Sequence, residues 1–139
     1  MRVGFIGLGT MGASIALNAI RGQHSLVVYD INQSTASPHL ELGAKWAATP
    51  KEVAANSEVV FTSLPGPDEV RSVALGEEGI LAGLSRGSAY FDLSTNSPTT
   101  RDKAGSTPLA LACAARAARY NAFWLSHNAL YFGWVVRLW

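Results

Sequence analysis

One cysteine, Cys113, in 139 residues excludes an internal disulfide and any CxxC or Cys/His zinc pattern. It suits a reducing compartment, and the expected location is cytoplasmic. Excess charge is missing too. Eleven Lys and Arg against ten Asp and Glu leave a net charge of +1, so neither nucleic acid nor an anionic membrane surface is an expected partner. The first apolar stretch, Val3-Gly4-Phe5-Ile6-Gly7-Leu8-Gly9, is too short and glycine-rich for a signal peptide or a membrane span. Residues 121–139 are long enough for a span, but Asn121, Ser126, His127, Asn128 and Arg137 argue against one. Lysine is scarce, at Lys45, Lys51 and Lys103 only, and Asp102 is the last acidic residue.

A chain of this length with 48% hydrophobic residues suits one globular domain, which buries roughly 70% of its unfolded surface. Through residue 100, short apolar runs alternate with helical patterns, the rhythm of a parallel sheet with crossover helices. Strands are predicted over 2–7, 25–30, 44–47, 58–64 and 88–93. Helices are predicted over 11–20, 34–42 (restricted by Pro38), about 50–55 and about 69–74, with a short one between 76 and 85. Thr49-Pro50-Lys51-Glu52 reads as a capping box with proline in the first turn.

Gly7-Leu8-Gly9-Thr10-Met11-Gly12 matches G-x-G-x-x-G between an apolar strand and a helix. In that setting the first glycine permits a tight turn. The second lets backbone approach a diphosphate, and the third lets helix pack closely on strand. The diphosphate meets unpaired N–H groups and the positive end of the helix dipole, so no lysine is needed. Asp30 ends the second strand 18 positions after Gly12 (30 minus 12), where an acid holds the adenosine ribose of a dinucleotide. A carboxylate there repels the 2′-phosphate of NADP, and Ile31-Asn32-Gln33-Ser34-Thr35 brings no arginine. The expected cofactor is NAD, with NADP possible, and the preference is roughly 1 to 3 kcal/mol.

Ligands of an open α/β sheet lie outside the carboxyl ends of its strands. The loops Ser63-Leu64-Pro65-Gly66-Pro67 and Asp92-Leu93-Ser94-Thr95-Asn96-Ser97-Pro98 therefore face the crevice of the glycine loop, although both are rich in ordinary turn residues. Together with Gly4-Phe5-Ile6-Gly7-Leu8-Gly9-Thr10-Met11-Gly12 they resemble the β-hydroxyacid dehydrogenase family, which includes 3-hydroxyisobutyrate dehydrogenase-like and glyoxylate/succinic semialdehyde reductase-like enzymes. The resemblance covers about residues 1–100. It implies an α/β fold, a Rossmann-type doubly wound parallel sheet. It also places Gly7, Leu8, Gly9, Thr10, Met11 and Gly12 at the diphosphate and Asp30 at the adenosine ribose. Leu64 and Pro65 come near the nicotinamide half, and Ser94 and Thr95 lie where cofactor and substrate carboxylate meet.

The family continues with a D-A-P-V-S-G-G substrate loop and a helical domain whose first long helix carries a catalytic lysine in K-x-x-x-N. Neither is present. Four places after Lys45, Lys51 and Lys103 stand Thr49, Ala55 and Thr107. Asp92 reads as a structural carboxylate. His24 sits away from the crevice, His39 on an exposed helix and His127 in the tail, so no catalytic or metal-binding residue is assigned. Cys113 reads as a small buried side chain on an alanine-rich helix.

The expected organisation is a dinucleotide-binding domain over 1–100 and an unmatched, helical tail over 101–139 where the family has its catalytic domain, either read in a shifted frame or a genuine helix pair covering the sheet. The function implied is the NAD(P)-binding part of a 3-hydroxyacid dehydrogenase-like oxidoreductase, truncated and without the catalytic lysine, inactive alone. A small hydroxyacid is then a partner only when a second domain completes the site. The other reading is an inert nucleotide-binding or interaction module.

Overall fold

The computed structural model describes residues 1–94, 122–125 and 135–138. In chain order these form β1 (Arg2–Ile6), α1 (Thr10–Arg21), β2 (Ser25–Tyr29), a 3-10 turn (Gln33–Ala36), α2 (Ser37–Glu41) and β3 (Lys45–Trp46). There follow α3 (Pro50–Ala55), β4 (Val59–Thr62), α4 (Pro67–Leu75), α5 (Ile80–Gly83), β5 (Ala89–Asp92), β6 (Ala122–Leu125) and β7 (Val135–Leu138).

The first five strands are parallel in the order β3-β2-β1-β4-β5, the Rossmann arrangement in which the order reverses beside the first strand. Register brings their carboxyl ends level. Ile6 lies opposite Tyr29 and Thr62, and Thr62 lies opposite Asp92. The residues that leave these strands therefore emerge along one rim.

Both faces of the sheet are covered, which is why the strands read as near-continuous apolar runs. On one face Val3, Phe5, Leu26 and Val28 pack with Leu8, Ala16 and Ala36. On the other, Ile6, Val27, Val60 and Tyr90 pack with Val53, Ala54, Ala74 and Ile80. Phe5, Phe61 and Phe91 occupy matching positions on β1, β4 and β5. Their rings stack across the sheet with centroids 6.2 and 5.4 Å apart, each pair contributing about 0.5 to 1.5 kcal/mol beyond its buried area.

Local signals set several boundaries. The strand predicted to reach residue 7 stops at Ile6, because Gly7 turns the backbone to φ 91°. Pro38 stands in the first turn of α2, and the predicted helix over 34–42 divides into the 3-10 turn and α2. At α3 the Thr49 hydroxyl accepts from the Glu52 N–H at 3.1 Å. Glu52 Oε2 reaches back to the Ala48 N–H at 2.7 Å, one residue beyond the reciprocal bond of the capping box.

Two expectations need correction. His39 is buried, 1% exposed, rather than on an exposed helix. α2 is short and sits against α1, so its Nε2 lies 3.0 Å from the Ala13 carbonyl. The tail is strand, not helix, where it is described. β7 pairs antiparallel with β5, and β6 pairs antiparallel with β7. Aromatic Phe123 and Trp124 and β-branched Val135 and Val136 favour a pleated surface, and β5 offers them an unpaired edge. The alanine-rich segment 109–120 with Cys113, the boundary at residue 100, Lys103 and His127 lie outside the described residues.

Candidate functional site

The glycine loop is built by two close approaches. The Gly7 N–H donates to the Tyr29 carbonyl at 3.0 Å, and a Cβ on Gly7 would lie 2.2 Å from the Ser63 carbonyl oxygen and 3.0 Å from Leu64 Cδ2. A Cβ on Gly12 would lie 1.9 Å from the Gly7 carbonyl oxygen. No other side chain fits either place. Gly9 differs: a Cβ there would meet nothing within 4 Å. It leaves a clear surface over the start of α1.

Gly9 is the N-cap of α1, with no side-chain cap and no acidic residue in the first turn. The first N–H groups of a helix lack intrahelical acceptors and carry its positive end. Gly9, Thr10 and Met11 are exposed there, whereas Leu8 is buried in the core and offers only backbone. A cradle open at Gly9, closed at Gly7 and Gly12, and uncapped at α1 fits a diphosphate.

Asp30 leaves β2 on the same rim. Its Oδ2 accepts from the Leu8 N–H at 2.6 Å and its Oδ1 from the Asn32 N–H at 2.8 Å. Each oxygen keeps a lone pair for a hydroxyl group. Asn32 turns the chain by accepting from the Ser34 N–H and hydroxyl, and Ile31 stands 96% exposed beside it.

Across the rim, Leu64 is half-buried against the core and Pro65 is exposed. The Leu64 N–H donates to Ser94 Oγ at 2.9 Å. Ser94 in turn donates to Asp92 Oδ1 from its hydroxyl at 2.6 Å and its N–H at 3.0 Å. Thr62 donates to the same oxygen at 2.8 Å. Since the single Thr62 proton is used there, Tyr90 donates in the 3.0 Å contact between the two hydroxyls. Asp92 is 2% exposed, a buried carboxylate satisfied by hydroxyls and backbone.

The structure thus brings together Gly7, Leu8, Gly9, Thr10, Met11, Gly12, Asp30, Leu64, Pro65 and Ser94. Thr95 lies outside the described residues. The linkage of Thr62 to Asp92, and the use of both Ser94 donors, escaped the sequence reading. The only local signal was a hydroxyl two residues beyond a strand-end acid. Lys51 is paired with Glu78 at 3.0 Å, and Lys45 lies on β3 at the end of the strand order. Among the described residues there is no cluster of metal-binding side chains, and no helix is long and apolar enough to cross a membrane.

Residues 2–111 match the family model described as the NAD binding domain of 6-phosphogluconate dehydrogenase. The chain is 40% identical over 101 residues to 3-sulfolactaldehyde reductase of Escherichia coli (strain K12), covering 73% of this chain and 34% of that protein. It is 42% identical over 98 residues to a probable mitochondrial 3-hydroxyisobutyrate dehydrogenase of Dictyostelium discoideum, covering 70% and 30%. Among solved structures, Mycobacterium tuberculosis 3-hydroxyisobutyrate dehydrogenase with L-serine aligns with a TM-score of 0.68 at 28% identity, covering 83% of this chain and 37% of that one. Psf3 in complex with NADP+ and 2-OPP aligns with a TM-score of 0.68 at 30% identity, covering 82% and 39%. The chain spans 34% and 30% of the length of these two curated relatives.

Proposed function

Since the chain belongs to the family of the NAD-binding domain of 6-phosphogluconate dehydrogenase, we propose that it is the cofactor-holding part of a 3-hydroxyacid dehydrogenase-like oxidoreductase. The observation that carries this is the loop itself, closed at Gly7 and Gly12 and open at Gly9. Backbone N–H groups of Gly9, Thr10 and Met11 take the diphosphate. Asp30 takes the adenosine ribose, with Ile31 beside it. Leu64 and Pro65 lie along the nicotinamide half, and the substrate side of the crevice is at Ser94 and Thr95.

NAD is the preferred cofactor. A 2′-phosphate would meet the Asp30 carboxylate with no arginine at positions 31–35 to receive it. Psf3, by contrast, is described in complex with NADP+. When bound, the nicotinamide supplies or accepts the hydride exchanged with a small β-hydroxyacid or semialdehyde. Such chemistry needs an acid/base group at the substrate oxygen. Lys51 is committed to Glu78, and Lys45 lies at the sheet's far side. Among the described residues no lysine therefore stands at the crevice, which favours a chain that binds cofactor and completes turnover only with a second domain; a substrate-free nucleotide-binding module is the second reading. The reading places it in the cytoplasm.

The domain division goes with this proposal: 1–100 hold the cofactor, and 101–139 are read in a shifted frame, although the family match itself runs to residue 111. A D-A-P-V-S-G-G coding stretch in another frame of the transcript supports the shift, and its absence removes it. Calorimetric titration with NAD and NADP, together with a turnover assay on 3-hydroxyisobutyrate, tests the function. Binding of NAD without turnover is the expected result. Turnover overturns the claim of inactivity, and absence of binding overturns the assignment.

A further inference from the structure

We propose that Asp92 is the positioning residue for the nicotinamide half of the crevice, acting through Thr62 and Ser94 on the gap between the loops after β4 and β5. This rests on the dinucleotide reading above and deepens it. The parallel ladder of β4 and β5 pairs Thr62 with Asp92 through backbone alone, so the sheet has no need of a carboxylate at its rim. Yet one is held there, buried, with three donors on Oδ1. Such hydrogen bonds to a carboxylate are short and strong.

The direction of each bond defines the device. Ser94 spends its N–H and its hydroxyl proton on Asp92, and its oxygen receives the Leu64 N–H. It keeps no donor for a carboxylate or a carboxamide. Its action on a ligand therefore passes through Leu64, whose side chain abuts the place where Gly7 can carry no Cβ. Asp92, Ser94, Leu64 and Gly7 form one chain of contacts that links the loops after β5, β4 and β1. Asp30 performs the matching task at the other end, through Leu8. Each half of the dinucleotide then has its own carboxylate tie.

The two ties are separable with NADH and ADP-ribose, which differ by the nicotinamide. The full chain and its S94A and D92N variants are titrated with both. Each variant is expected to bind NADH about tenfold more weakly, the loss of one charge-assisted tie. ADP-ribose should bind as it does to the unaltered chain, and S94T, which keeps the hydroxyl, should bind NADH normally. Equal loss with both ligands shows a merely structural residue and overturns the proposal, as does unchanged NADH affinity. If the unaltered chain binds neither ligand, the dinucleotide reading itself falls, and this proposal with it.

Discussion

Leu8 and Asp30 stand 22 residues apart in sequence, and the Leu8 N–H donates to Asp30 Oδ2 over 2.6 Å. The acid proposed to hold the ribose thus also fixes the loop proposed to hold the diphosphate. Binding and loop geometry share one side chain.

Replacing Asp30 with alanine should therefore weaken NAD by about ten- to a hundredfold, the loss of charged hydrogen bonds. The ratio of NADP to NAD affinity should rise, because the carboxylate that repels a 2′-phosphate is gone. Titration with both cofactors measures the two effects. An unchanged ratio would show that Asp30 plays no part in the choice.

Gly9 and Gly12 should separate binding from folding. Gly9 has φ −64° and open space around it, so G9A should alter stability by less than about 0.5 kcal/mol while its methyl obstructs the diphosphate. G12A forces a methyl into the Gly7 carbonyl and should cost about 3 kcal/mol or more. Urea unfolding and cofactor titration on the same samples distinguish them. A destabilised G9A would contradict the open surface.

His39 fills the contact between α2 and α1, with Nδ1 lacking a partner among the described residues. H39A removes a ring from a site 1% exposed and should lower stability by about 2 to 4 kcal/mol. H39L retains the volume and removes the unpaired nitrogen, so it should recover most of that loss. Chemical denaturation of both variants is the check.

Glu58 gives a pH signature. The Arg2 N–H, donating at 2.6 Å, holds its carboxyl below the ordinary 4.5, and the charges of Arg2 and the N-terminus act in the same direction. A carboxyl lowered on folding stabilises above its unfolded value. That contribution is lost as pH falls from about 4.5 through the folded value. E58Q should therefore show a shallower decline in urea midpoint below 4.5, with high salt narrowing the difference. Parallel acid limbs in the two proteins would contradict this assignment.

What the sequence displayed well was local. Gly7, Gly9 and Gly12 lie in one hexapeptide, and Asp30 ends the adjoining strand, so spacing and apolar pattern placed them. The Thr49 cap was equally visible, being complete within four residues. His39 was not, because its burial depends on how a short helix docks on α1. The Thr62–Asp92 bond joins residues 30 apart, and only parallel register brings them together. In the tail, apolar content marked a change of character but carried no period to separate strand from helix. There the β5 edge decided for β6 and β7.

That last pairing bears on solubility. β5 without β7 would present the backbone of Ala89–Asp92 as an open template, the kind of edge on which a second chain can build. β7 blocks it in antiparallel register, with Ala89 opposite Arg137 and Phe91 opposite Val135. The strands after residue 121 thus move the open edge of the sheet from β5 to β6, and trimming the chain at Ser94 should uncover Ala89–Asp92 and raise the tendency of the protein to self-associate.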